Sequence, residues 1–363
     1  MRKSGFFFLI LLAAASLQDA AAAQLPTHGG AAPATSLFPI LPYEAADNAA
    51  PQLLPVTANH ALGGDHAGIT RAILAIHDLS RDADGTLTTL SSLAGANNET
   101  TIILAPQFLL NSDIPSSADE DLARWPLGGW EGGGESLVRP PQKGVSSFTA
   151  IDLLLLYLGE KQFFPDLKTI VIAGHGAGGD FVQRYAVAGK APDLLEKQGI
   201  TMRFVAADAS SYLYLTTLRP IAGKPGFALP DKSKCPAYDA YWYGLDNLND
   251  YAQHTGASEI RLRYPERRVI YLAGEKVAEN DPLPDVSCAA RLQGPDRLAR
   301  AMNYDIYLST IFGESTATTQ KFATVPRAGY DPAAIFGSSC GMDALFGDGE
   351  CAPKGIKGST APP

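Results

Sequence analysis

Residues able to do nucleophilic or acid–base chemistry gather first around His175, in the stretch Thr169-Ile170-Val171-Ile172-Ala173-Gly174-His175-Gly176-Ala177-Gly178-Gly179-Asp180. The β-branched run at its start predicts a buried strand, and Phe181 to Val187 continues as a helical pattern. Strand, glycine turn and helix in that order frame a nucleophile elbow, G-x-S-x-G, whose sharp turn projects a serine hydroxyl. Gly174 and Gly178 supply the flanking glycines, which let the strand and helix backbones nearly touch. The central position is Gly176, which has no side chain. The frame for the chemistry is present and its reactive atom is missing.

The same residues fit G-x-G-x-x-G, the dinucleotide-binding string. That fingerprint belongs to the first strand–helix unit and wants an acidic residue about 20 positions further on. Here the turn lies mid-chain, and Asp208, after Phe204-Val205-Ala206-Ala207, comes late for that role. The elbow is therefore favoured over a nucleotide site or a plain connecting turn. No His, Asp or Glu cluster has metal-ligand spacing, so neither a metal nor a cofactor is expected.

The elements that must position this turn fit one domain. A chain of 363 residues with 46% hydrophobic and 18% charged residues has the composition of a packed globular protein. A net charge of −9 leaves no basic patch and argues against nucleic acid as a partner. Residues 1–23 read as a secretory signal: Arg2 and Lys3, an apolar core from Phe6 to Ala15, and small residues at Ala21-Ala22-Ala23. That core is too short to span a membrane, and no later run is long enough. The implied location is secreted or periplasmic. Export favours disulfides for the four cysteines. Three pairings are open; Cys340 and Cys351 close a short loop, which leaves Cys235 for Cys288.

Residues 24–60 are Ala- and Pro-rich with little periodicity and read as an extended arm, with a single domain over 61–363. Buried strands are predicted at 72–76, 101–106, 169–173, 202–207, 268–274 and 321–326, and helices at 146–159 (capped by Ser147), 245–253 and 295–312. A long loop after 101–106 carries Trp125 and Trp130 among glycines and reads as either a binding surface or a surface excursion. Strand–helix alternation implies an α/β fold, a mostly parallel sheet with helices on both faces.

From about residue 70 to 351 the chain resembles a family of secreted bacterial and fungal α/β-hydrolases of esterase type. The likeness rests on Gly174-His175-x-Ala177-Gly178-Gly179 with Phe181-Val182-Gln183-Arg184-Tyr185, on Ser210-Ser211-Tyr212-Leu213 and on Tyr243-Gly244-Leu245. It continues through Ser287-Cys288-Ala289-Ala290-x-Leu292-Gln293-Gly294-Pro295 and Phe336-Gly337-Ser338-x-Cys340-Gly341. The resemblance implies the α/β-hydrolase fold and assigns the site position by position. The nucleophile position is Gly176, in place of serine. The histidine position, after the glycine that follows the last strand, is Tyr330. The acid position, in Gly274-Glu275-Lys276-Val277, is Val277. The first central strand of such folds often ends in His-Gly, and the next residue donates an N–H to the oxyanion. Here His77 is followed by Asp78 and Leu79, so Leu79 and Ala177 are the oxyanion-side positions. A carboxylate at Asp78 either opposes the charge that would develop there or caps the helix that follows.

The six histidines all lie at or before His254, so no imidazole follows the last strand. Glu275, Glu279 and Asp281 remain as acids, and His77 and His175, with Trp130, as residues near a pocket. The reading is an α/β-hydrolase-fold pseudoenzyme: a binding or interaction protein whose residual pocket takes a small-molecule or ester-like ligand. An esterase using non-standard groups and a redundant inactive paralogue are the alternatives.

Overall fold

The computed structural model describes residues 34–45, 49–114, 121–138, 142–276 and 285–351. The secretory signal expected at 1–23 lies outside them. The principal strands are β1 (Ala34–Ile40), β2 (Gln52–Ala58), β3 (Arg71–Ile76), β4 (Thr101–Pro106), β5 (Thr169–His175), β6 (Thr201–Ala207), β7 (Val269–Gly274) and β8 (Gln320–Val325). They form one eight-stranded sheet in the order β1-β2-β4-β3-β5-β6-β7-β8. From β4 to β8 every neighbouring pair is parallel, and β1–β2 and β2–β4 pair antiparallel.

Residues of one strand alternate between two apolar cores, as the pleat requires. Ala72, Leu74 and Ile76 of β3 join one cluster, and Ile73 and Ala75 join the other. The first face is covered by helices α2 (Ser147–Leu158), α3 (Ala177–Ala188) and α4 (Arg297–Phe312), through residues such as Leu154, Phe181 and Tyr304. The second face is covered by helix α1 (Ala83–Ala94) and by Pro332–Phe336 and Ser339–Phe346, through Leu87, Ile335 and Leu345. No helix among the described residues is long and apolar enough to cross a membrane. Disulfides join Cys235 to Cys288 and Cys340 to Cys351.

Three expectations are corrected. Part of the arm expected at 24–60 is sheet: β1 and β2 form a hairpin whose Phe38, Ile40, Leu54, Val56 and Ala58 enter the main core. The period-2 signal was masked by prolines at 39, 42, 51 and 55. Helix α2 is capped by Ser146, whose Oγ accepts from Phe148 N, while Ser147 Oγ donates to the Trp130 carbonyl. The helix expected over 245–253 shrinks to a single turn, Asp250–Gln253, capped by Asn249.

One buried carboxylate ties the hairpin to the first helical layer. Asp152 of α2 accepts the hydroxyls of Tyr43, Tyr185 and Tyr251 at 2.5 Å each, and the backbone N–H of Ala191 at 2.8 Å. Removing it strands several buried donors, each costing about 1–3 kcal/mol. Asp152→Ala is expected to lower the free energy of unfolding by at least about 3 kcal/mol, and Tyr43→Phe by only about 1 kcal/mol. Urea denaturation of the two variants checks both values.

Candidate active site

The elbow is built as the glycines dictate. β5 ends at His175, α3 begins at Ala177, and Gly176 between them has φ +61° and ψ −121°. Side-chain-bearing residues are strained there, whereas glycine adopts it freely. Gly174 and Gly178 leave no room for a Cβ: one at Gly174 would strike the backbone of Gly178, and one at Gly178 the carbonyl of Ile76. Strand β5, helix α3 and the end of β3 therefore close on one another through backbone alone.

Asp78, at the end of β3, does not cap the helix at 83–94; Asp82 does, accepting from Gly85 N. The Asp78 carboxylate turns into the site instead. Its Oδ1 accepts the backbone N–H of Leu79 at 2.7 Å and that of Ala177 at 2.9 Å, the two positions the resemblance places on the oxyanion side. Its Oδ2 accepts the hydroxyl of Tyr330 at 2.6 Å. Burial first, and then the Asp78 charge, push the Tyr330 phenol well above its ordinary value, so it stays a protonated donor. The Tyr330 ring lies between His175, with centroids 4.4 Å apart, and the Arg297 guanidinium, 4.6 Å from its centroid. A Cβ at Gly176 would lie 2.6 Å from Asp78 Oδ1 and closer still to the Tyr330 hydroxyl.

The histidines serve the scaffold. His77 is fully buried: its Nε2 accepts from Phe108 N at 3.0 Å, which leaves Nδ1 to donate to the Asp78 carbonyl at 2.8 Å. Burial pulls its pKa down to about 4. His175 Nε2 meets Asp208 Oδ2 at 3.1 Å, and Asp208 Oδ1 accepts from Gly274 N at 2.8 Å, linking β5, β6 and β7 at their C-terminal ends. Trp130 is buried, stacked on Phe108 at 5.3 Å. The indoles of Trp125 and Trp130 are thus packed inward, whereas Leu127 between them is exposed and Glu131 lines the cavity described next. Glu275 is exposed and holds the Thr324 hydroxyl at 2.7 Å. Val277, Glu279 and Asp281 lie outside the described residues.

Next to the plugged elbow is a cavity of about 260 Å³. Asp78, Glu131, Asp180, Asp285, Arg184 and Arg297 supply its charges, and Leu79, Ala177, Trp242 and Tyr243 its apolar surface. Sequence reasoning missed most of these. Asp180 and Arg184 stand one turn apart on α3, and that i,i+4 spacing was the one legible signal. Asp180 accepts from Ser210 N, Ser211 N and the Ser210 hydroxyl, and Arg184 Nη2 donates to Ser211 Oγ at 2.9 Å. Asp285 accepts from Tyr243 Oη and Ser287 N. Glu131 has no hydrogen-bond partner among the described residues; only 9% of it is exposed, and it faces the cavity. Burial and the neighbouring Asp180, Asp78 and Asp285, opposed by Arg184, push its pKa up to about 7.

Comparison with solved structures gives the class. A poly(aspartic acid) hydrolase-1 from Sphingomonas sp. KT-1 matches with a TM-score of 0.53 at 22% identity, over 84% of this chain and 96% of that one. A poly(3-hydroxybutyrate) depolymerase from Bordetella parapertussis matches with a TM-score of 0.55 at 17% identity, over 87% and 90%. With the sheet order and the elbow, they define this chain as an α/β-hydrolase fold. No protein-family model and no curated protein matches the sequence.

Two outcomes follow from this geometry. Gly176→Ala is expected to cost about 2 kcal/mol or more, from backbone strain and the collision with Tyr330. In a Tyr330→Ala background the contact with the phenol disappears while that with Asp78 remains, so the two substitutions are expected to be partly non-additive in a double-mutant cycle read by urea unfolding. The second concerns Glu131. Folding raises its pKa from 4.5 to about 7, so its unfavourable contribution sets in as pH climbs past 4.5 and is complete above 7. Glu131→Gln is expected to stabilise the protein by roughly 2–3 kcal/mol at pH 8 and hardly at all at pH 4.5. Urea midpoints at the two pH values test the sign.

Proposed function

We propose that this chain is a non-catalytic α/β-hydrolase-fold protein, exported and acting through binding rather than through ester hydrolysis. One observation carries the reading: the Asp78 carboxylate takes both N–H groups that would stabilise an oxyanion. A substrate carbonyl entering there would meet no free donor and a fixed negative charge. An oxyanion hole acts through donors aimed where charge develops, and losing one donor costs about 10²–10³ in rate. Here both are occupied.

The other positions agree. Gly176 offers no nucleophile. Tyr330, at the position the resemblance gives to histidine, is a donor to Asp78 and not a base. The two imidazoles near the site are engaged in scaffold contacts, which speaks against an esterase using non-standard groups. A double disulfide framework and a leader-like first segment agree with an exported protein.

A p-nitrophenyl acetate assay tests the proposal. Wild-type protein is expected to match the buffer rate, and Gly176→Ser alone to stay inert, because its hydroxyl has neither a base nor a hole. Gly176→Ser combined with Tyr330→His and Asp78→Gly restores a nucleophile, an imidazole and two free N–H donors. That triple variant is expected to exceed wild type, though far below a complete triad, whose members act as a unit. Saturable turnover by wild type, abolished by His175→Ala, would reverse the conclusion.

A further inference from the structure

The cavity beside the elbow is unbalanced in charge and in hydrogen bonding. Four carboxylates face two guanidinium groups, an excess of two negative charges when all are ionised. The acids are not equivalent. Asp78 accepts three donors, Asp180 three and Asp285 two. Arg184 is engaged by Ser211, by Asp180 at 3.8 Å and by the face of Trp242 at 5.4 Å. Arg297 donates to the Asp208 carbonyl and covers Tyr330. Glu131 alone is left with neither a hydrogen bond nor an ion pair, nine-tenths buried and lining the cavity. A carboxylate drawn out of bulk water without a partner is costly, and this one, open to the cavity, sits among three others.

We infer that this cavity is a binding site for a small organic cation, a primary ammonium on a short apolar body, with Glu131 as its charge partner. The inference rests on the non-catalytic reading of the cleft and names what that cleft holds. An ammonium brings donors to the one carboxylate that lacks them, and it relieves the repulsion among Glu131, Asp180, Asp78 and Asp285. Leu79, Ala177 and the exposed parts of Trp242 and Tyr243 receive the apolar body. At about 260 Å³ the space lies below the usual range for drug-sized ligands, which limits the occupant to a compact molecule. An ester gains nothing here, since its carbonyl finds no free oxyanion donor. The excess of two negative charges opposes an anion, although Arg184 Nη1 has no hydrogen-bond partner, and the phenylacetate arm below tests for one. No set of three or more His, Cys, Asp or Glu groups among the described residues is arranged to hold a metal ion, which favours an organic cation. The high proton affinity of Glu131 is in keeping with this: at low pH the proton occupies the place the ammonium would fill.

Isothermal titration of the full-length protein with 2-phenylethylammonium, 2-phenylethanol and phenylacetate tests the inference. At pH 8 and low salt the ammonium is expected to bind at least about tenfold more tightly than the alcohol or the carboxylate. Its affinity is expected to fall between pH 8 and pH 5.5, as Glu131 takes up a proton. Glu131→Gln, with folding verified by circular dichroism, is expected to lose at least about tenfold of that affinity. Equal binding of the alcohol, a preference for phenylacetate, no ammonium binding up to about 10 mM, or undiminished affinity in folded Glu131→Gln would each overturn the inference. The wild-type panel decides even if the variant fails to fold. Ester turnover by wild type would overturn the non-catalytic reading, whereas failure of the ammonium titration alone would overturn only this assignment.

Discussion

The structure of the site depends on one carboxylate and its three donors. Asp78 reaches across the end of β3 into the turn between β5 and α3, and Leu79, Ala177 and Tyr330 all point at it. Charge-assisted hydrogen bonds of this kind are the strong ones, and a carboxylate at the start of a helix also meets the favourable end of its dipole. N–H groups of the kind that stabilise a transient oxyanion in an enzyme are held here by a resident side-chain carboxylate. Once that anion is in place, the rest of the site follows. Tyr330 must stay protonated to donate, its ring fills the space over Gly176, and glycine becomes the residue that both the backbone and the space allow.

The scaffold around the elbow is independent of that chemistry. Gly174 and Gly178 allow backbone-to-backbone packing of β5, α3 and the end of β3, and they are needed whether or not the turn carries a nucleophile. A catalytic serine at φ +61° would hold backbone strain, which active sites maintain because the surrounding structure over-determines it. With glycine there the strain is gone, and the turn costs no more than its lost chain entropy. The fold is therefore held by its two apolar cores and these backbone contacts, whatever residue stands at position 176.

What the sequence revealed divides along the same line. Strands with unbroken β-branched runs, such as Ile170-Val171-Ile172, were legible because both faces are buried. The β1–β2 hairpin was not, because its prolines broke the pattern and its partner β4 lies far along the chain. At the site, Gly176 and Tyr330 stood out in the sequence, and the structure brings them side by side. The role of Asp78 was not, since helix cap and plug differ only in which N–H groups its side chain meets. The cavity was least legible of all. Glu131, Asp180, Trp242 and Asp285 come from four separate segments, and only the fold brings them together.

That convergence supports the proposed non-catalytic reading independently of the glycine at position 176. A tetrahedral intermediate adds a negative charge beside Asp78, and Asp180, Glu131 and Asp285 lie around the same cavity. In a water-poor site such repulsion is screened far less than at the surface. Restoring the nucleophile and the imidazole leaves that field in place, whereas clearing Asp78 removes its nearest charge and frees both N–H donors together. Of the residues at this site, Asp78 therefore has the widest reach, because the N–H groups of Leu79 and Ala177 and the Tyr330 hydroxyl all rest against its carboxylate.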